Sequence, residues 1–228
     1  MRARRQTTRS TSGFTLLEMI IVISIMAIVA GAAIPLASAA INSKARRATL
    51  SELEGLQAAV AEYFRDTGQL PTSTADMEQN PSVTGWTGPY LIAFSIDRNS
   101  GLSQYAVDAW SQPYQFAASG SQLTITSPGK GGSFGDGNDI DVTIDVTPIR
   151  RELTLEKQRI VNLAIQHYNA AWLADDPLPA SYASLLSKLV AKGYLPATAP
   201  FSTDGWGAAF VADPPTLSPV VKIKSANF

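Results

Sequence analysis

Gly13-Phe14-Thr15-Leu16-Leu17-Glu18-Met19 opens onto an uncharged apolar run that extends from Met19 to Ile41. Crossing a hydrocarbon core takes about 20 helical residues, so the run is long enough to do it. Its flanks set it apart from an ordinary anchor. A polar stretch holding Arg2, Arg4, Arg5 and Arg9 comes before Gly13, whereas a secretory signal has its small-residue cleavage site after the apolar segment. A cut beside Gly13 would therefore leave the apolar helix on the product. Glu18 is the second anomaly, since burying a lone, unpaired carboxylate in an apolar segment costs about 2 kcal/mol or more. It needs a partner, unless the segment is a plain single-pass anchor that leaves Glu18 among lipid headgroups.

The run Gly-Phe-Thr-Leu-Leu-Glu from Gly13 to Glu18, with Pro35 late in the helix, resembles the class III signal of type IV pilins and type II secretion pseudopilins. The resemblance implies that a prepilin peptidase cuts after Gly13 and methylates the new amino terminus at Phe14. It also implies that the helix becomes the core of a filament, with Glu18 paired to the N-terminal amine of a neighbouring subunit. Electrostatics agrees with that role: two opposite charges, each costly alone in an apolar bundle, satisfy one another and so fix the axial register of adjacent helices.

Composition bounds the remainder. The 228 residues leave room for one or two small domains beyond the apolar helix. Net charge is −1, and loss of the leader arginines leaves 14 Lys+Arg against 19 Asp+Glu, or −5. A mildly acidic product argues against nucleic acid as a partner. With no cysteine there is neither a disulfide framework nor a thiolate site. Four arginines before the helix favour a cytoplasmic N-terminus, although Lys44, Arg46 and Arg47 on the far side weaken the asymmetry.

Beyond Ile41 the helix is expected to continue, because Leu53, Leu56, Val60, Tyr63 and Phe64 recur at spacings of three and four. Pro35 should bend or locally unwind it, and Thr67-Gly68 followed by Leu70-Pro71 should end it. Thr72 to Val83 is polar and reads as an irregular surface loop. Gly85-Trp86-Thr87-Gly88-Pro89-Tyr90-Leu91 and Asp108-Ala109-Trp110-Ser111-Gln112-Pro113-Tyr114 resemble two blocks of the major pseudopilin, with Ala109 and Ser111 in place of Pro and Gly. Tyr114, Phe116, Leu123 and Ile125 alternate with polar residues across Gly120, the pattern of a hairpin laid on the helix. The fold class expected is therefore α+β: a long N-terminal helix packed on a small antiparallel sheet.

Ser127 to Asp141 is rich in glycine, which lets a loop fold back until carbonyls and carboxylates converge, as calcium requires. The spacing is not that of an EF-hand. The stretch resembles the calcium loop of major pseudopilins and aligns to it without gaps, with two departures. Gly131 stands where the family's first liganding aspartate would be, and Asn138 where its penultimate one would be. Only Asp139 is carried over intact. Asp136, Asn138 and Asp139 are the candidate ligands, with Asp136 a substitute and Asn138 a neutral donor. A flexible Gly-rich turn is the alternative.

The resemblance to single-headed pseudopilins ends near Val146, and the tail reads as an internal repeat. Thr154 is expected to cap a helix with Ile160, Leu163, Ala164, Tyr168, Ala171 and Trp172 on one face. Leu178-Pro179 follows as Leu70-Pro71 did, then a short helix over Ser184 to Val190 and Gly193-Tyr194-Leu195-Pro196. Asp204-Gly205-Trp206 with Phe210 repeats Asp108-Ala109-Trp110 with Tyr114 at the same offsets, and Val221 to Ser225 echoes Leu123 to Ser127. This points to a second pilin-like head without a metal loop, against the alternative of an unrelated helical extension.

Catalysis has little support. His167 is the single histidine and sits between Ile165 and Tyr168, as a helix-surface or packing residue would, and no nucleophile elbow appears. The organisation expected is a leader over 1–13, a membrane and filament-core helix over 14–41, a head over 42–148 and a second head over 149–228. The expected function is that of a non-enzymatic pseudopilin of a type II secretion system, assembled in the periplasm to help export proteins. A type IV pilus or competence pilin is the alternative, as is a membrane-tethered periplasmic binding protein or enzyme. The resemblance implies other pseudopilin subunits, the prepilin peptidase and an inner-membrane assembly platform as partners, and calcium as cofactor. It places the chain in the inner membrane with a single pass, a cytoplasmic N-terminus and periplasmic heads.

Overall fold

The computed structural model describes residues 13–214 and 219–227. The leader arginines Arg2, Arg4, Arg5 and Arg9 lie outside them. The chain divides into two compact units between Arg47 and Ala48.

The first unit carries the start of α1 (Leu16–Thr67), whose apolar side chains are exposed along its length, Ile20, Ile21, Ile23 and Ile25 among them. A helix apolar on every side has no core of its own to enter, so it requires lipid or other helices around it. It is long and apolar enough to cross a membrane. The local unwinding expected at Pro35 does not occur; the helix is unbroken there, and the donor lost to proline is absorbed without a gap in the helical run.

In the second unit α1 turns amphipathic. Leu53, Leu56, Val60, Tyr63 and Phe64 are all buried, as their spacing predicts, and α1 ends where Gly68 adopts φ +70° and donates its N–H to Phe64 O. Against this face lies a three-stranded antiparallel sheet, β1 (Gln115–Ser119), β2 (Gln122–Ser127) and β3 (Ile140–Asp145), in the order β1-β2-β3. Leu123 and Ile125 of the central strand and Ile140 and Ile144 of β3 face the helix and are buried. Burying each such side chain contributes about 1.5–3 kcal/mol. Gly120, at φ +60°, makes the hairpin turn.

The expectation of an irregular loop over Thr72 to Val83 is wrong in part. Residues Ala75–Glu78 form a short helix, α2, that inserts Met77, fully buried, into the core. Asp76 Oδ2 accepts the N–H groups of Thr72 and Ser73 and the Thr72 hydroxyl, holding the turn in place. A lone apolar residue among polar ones gives no periodicity to read.

A second core follows. Helix α3 (Thr147–Trp172) and α4 (Tyr182–Ala191) pack with a two-stranded sheet, β4 (Val211–Ala212) and β5 (Ile223–Lys224). Thr154 does not cap α3, which starts at Thr147 with Pro148 in its first turn. The buried face is Val161, Ala164, Ile165 and Tyr168, while Leu163 and Trp172 are exposed, so the face predicted from the sequence was rotated.

Thr154 is buried because it does what Thr49 does beside the first core. Thr49 Oγ1 accepts the Ala109 N–H at 3.2 Å, and Thr154 Oγ1 accepts the Gly205 N–H at 2.8 Å. Asp108 Oδ1 accepts the Trp110 and Gln112 N–H groups; Asp204 Oδ1 accepts those of Trp206 and Ala208. The Ser127 hydroxyl donates to Asp108 Oδ2, and that of Ser225 to Asp204 Oδ2. Tyr63 meets Tyr90 edge-on at 5.6 Å, and Tyr168 meets Tyr194 edge-on at 5.5 Å.

The second core lacks a counterpart of β3 among the described residues. Instead the Asn162 side-chain amide accepts the Ile223 N–H at 2.6 Å and donates to Ile223 O at 3.1 Å. Arg150 ties the cores together: its guanidinium lies 4.8 Å from the Phe64 ring centre, and Nη1 donates to Gly205 O at 2.6 Å. A Cβ on residue 205 would stand 2.3 Å from Arg150 O, so this contact requires glycine.

Candidate functional site

Gly13, Phe14 and Thr15 precede the first turn of α1 and share one concave surface with Glu18. Thr15 Oγ1 accepts the Glu18 N–H at 3.2 Å, so Thr15 caps the helix. The spacing Thr15-x-x-Glu18 is that of a capping box, a signal the motif reading passed over. Glu18 thus sits on the first turn, where the helix dipole favours an anion. It is exposed, and no cation among the described residues pairs with it. Phe14 is 72% exposed beside it.

The Gly-rich loop leaves β2 at Ser127 and returns at Ile140. Its ends meet closely, since a Cβ on Gly129, at φ +61°, would lie 2.4 Å from Asn138 O. Asp136 Oδ1 accepts the Asn138 N–H, and Asp139 Oδ2 accepts the Gly135 N–H, both at 2.8 Å. Asp139 Oδ1 is buried from solvent and has no hydrogen-bond partner. An orphaned carboxylate oxygen of this kind fits a hard cation, which takes six to eight oxygens. No group of three acidic, histidine or cysteine side chains converges among the described residues. Asp136, Asn138 and Asp139 all lie on this loop, and Asp139 alone has an unpartnered carboxylate oxygen.

One ionisable contact was not read from the sequence. The Tyr114 hydroxyl donates to Glu52 Oε2 at 2.9 Å, linking α1 to the start of β1. Burial holds the Glu52 carboxyl above its ordinary value against the opposing pull of that hydrogen bond. His167 lies exposed on α3.

Residues 8–34 match the prokaryotic N-terminal methylation motif, and residues 37–145 match the type II secretion system protein G family. The type II secretion system core protein G of Klebsiella michiganensis is 30% identical over 142 residues, covering 60% of this chain and 94% of the relative. The chain belongs to the type II secretion system protein G family. It is a pseudopilin, and as such assembles with other pseudopilins and the secretion machinery; it carries an N-terminal apolar helix of the membrane-anchoring kind. The core protein G of Pseudomonas aeruginosa is 25% identical over 146 residues, or 59% of this chain and 94% of that one. The toxin coregulated pilin of Vibrio cholerae is 30% identical over 111 residues, 40% of this chain and 48% of its own length. No solved structure gives a significant match. The family match ends at Asp145, the last residue of β3, so the second core of this pseudopilin lies outside it.

Proposed function

We propose that this pseudopilin is made as a precursor, cut between Gly13 and Phe14 by a prepilin peptidase, methylated at Phe14 and built into a pseudopilus. It crosses the inner membrane once, with a cytoplasmic N-terminus and periplasmic heads. The observation that carries the reading is the first turn of α1, where an exposed Glu18 has no partner cation among the described residues and stands beside Phe14. The free amine of a neighbour's Phe14 is the complementary charge. Its partners are other pseudopilin subunits, the peptidase and an inner-membrane assembly platform, and growth of the filament pushes exported proteins outward. The energy for growth comes from a separate ATPase.

Gly13→Leu is expected to leave the full precursor in the membrane, because a side chain at that position crowds the scissile bond. Mass spectrometry of the mature chain checks this: an N-terminus anywhere other than Phe14 in the parent, or normal processing of the variant, defeats the reading.

The Gly-rich loop is a calcium site in this proposal, held by Asp136, Asn138 and Asp139. Bound calcium neutralises the carboxylates and ties the two ends of the loop together. The orphaned Asp139 Oδ1 supports it. Calcium at a hundredfold excess over Kd should stabilise the folded chain in detergent by about 2.7 kcal/mol, and Asp139→Ala should remove the gain. Calorimetry showing no binding at millimolar calcium would end this part of the proposal.

Residues 149–228 form a second pilin-like head in the same reading. It is supported by the shared Thr49/Thr154, Asp108/Asp204 and Ser127/Ser225 bonding.

A further inference from the structure

The position that Glu52 takes beside the first core is held by Lys157 beside the second. Glu52 lies three residues after Thr49 and Lys157 three after Thr154, the two threonines that receive the Ala109 and Gly205 N–H groups. The partner has changed with the charge. Tyr114, six residues after Asp108, gives its hydroxyl to Glu52, whereas Phe210, six after Asp204, has no hydroxyl to give. Among the described residues Lys157 therefore reaches a backbone carbonyl alone, that of Thr203, at 3.1 Å.

This lysine lines a cleft of about 350 Å3 between the two cores, together with Arg150 of α3, the end of α1 at Phe64 and Gln69, and the loop that carries Asp204 and Trp206. Arg150 and Lys157 stand seven residues apart, two turns of one helix, and so share a face of α3. Neither forms an ion pair with any described residue. Arg150 spends Nη1 on Gly205 O, while its Nε is buried without a hydrogen-bond partner. Asp204 accepts its four hydrogen bonds from other groups, those of Trp206, Ala208, Ser225 and Asn227. Burial pushes the Lys157 pKa below its ordinary value against the pull of Asp204, as befits a cation held from water without a counter-charge in contact.

We propose that this cleft is a receptor for a carboxylate, carried either by an acidic side chain of a neighbouring protein or by a small free acid. The edge of the guanidinium left over by the Gly205 bond, Nε and Nη2, is the fork that a planar carboxylate takes with two parallel hydrogen bonds. Phe64, 4.8 Å beneath the guanidinium, fixes the plane of that fork, and Lys157 supplies the second charge. The volume falls in the range of small-ligand clefts. The site depends on neither the calcium nor the processing reading. Arg150, Lys157 and the Asp204 loop all lie beyond the family match, which ends at Asp145.

The test is calorimetric titration of the full-length chain in detergent at low salt, with sodium succinate, with a short blocked peptide holding one glutamate, and with the glutamine analogue of that peptide. A carboxylate probe should bind and the glutamine analogue should not. Lys157→Gln, which keeps a donor for Thr203 O, should weaken binding by about tenfold or more. Arg159→Gln, which removes an exposed cation from the same helix, should leave it within about twofold of the parent. A second readout needs no variant: the bound probe should slow acetylation of Lys157 by an amine-reactive ester, read by mass spectrometry, and leave the exposed Lys130 unchanged. A peptide bound more tightly than succinate places the carboxylate on a protein neighbour, and the reverse assigns it to a small free acid. No binding of either carboxylate at millimolar concentration overturns the inference. So do equal binding of the glutamine analogue, equal losses in the two variants, or acetylation of Lys157 indifferent to the probe.

Discussion

Filaments should disappear, with both cores still folded, when Glu18 is replaced by alanine. The carboxylate sits on the first turn of α1, and the residues that build the first core begin at Leu53. Its removal therefore leaves the cores intact. On the proposed pairing it strands a neighbour's amine in an apolar bundle, and breaking a buried pair from one side costs about 3–5 kcal/mol. The loss recurs at every subunit contact along the filament, so the effect on assembly is near complete. Glu18→Gln should rescue only weakly, since a neutral amide keeps the shape without the charge. Electron microscopy of sheared pseudopili together with circular dichroism of the purified variant checks both halves. Filaments as abundant as those of the parent would show that register is set by something other than this pair.

Asp204→Ala should loosen the second core alone. Asp204 is 3% exposed and accepts four hydrogen bonds, from the Trp206 and Ala208 N–H groups, the Ser225 hydroxyl and the Asn227 amide. Each donor left unsatisfied costs about 1–3 kcal/mol, and a total of about 4 kcal/mol after relaxation is expected. Hydrogen exchange should then accelerate over residues 199–214 and 219–227 and stay at parental rates over 108–145, with Asp108→Ala giving the reverse. Equal acceleration in both stretches would mean that the cores do not close separately. Acid makes the same point. Burial raises the Asp204 carboxyl, but its hydrogen bonds outweigh burial and hold it below the ordinary value. A depressed carboxylate adds stability that is complete above about pH 4 and lost as pH falls through its folded value. The second core should therefore loosen below about pH 4, and Asp204→Ala should flatten that dependence.

The sequence showed most clearly what periodicity and motif encode. The buried stripe from Leu53 to Phe64, the Gly68 stop and the β1-β2 hairpin follow from spacing and turn chemistry alone. The α3 face was misread because Thr154 looks like a cap, whereas its hydroxyl donates to Arg150 O inside the helix and takes the Gly205 N–H from a segment about fifty residues on. Met77 was hidden by its polar neighbours. At the candidate sites, Glu18 and Asp139 were legible as residue types in a pattern. The close approach of Gly129 to Asn138 O was not, because it depends on a loop closing through space.

Asn162 also governs what this protein avoids. A strand with unsatisfied backbone groups is a template for another chain to extend, and the risk grows where many copies are crowded along one filament. By taking both the N–H and the C=O of Ile223 onto a single side-chain amide, α3 insulates β5 against strand addition from a neighbour. An incoming strand at that edge would have to displace the Asn162 amide from Ile223 before it could pair.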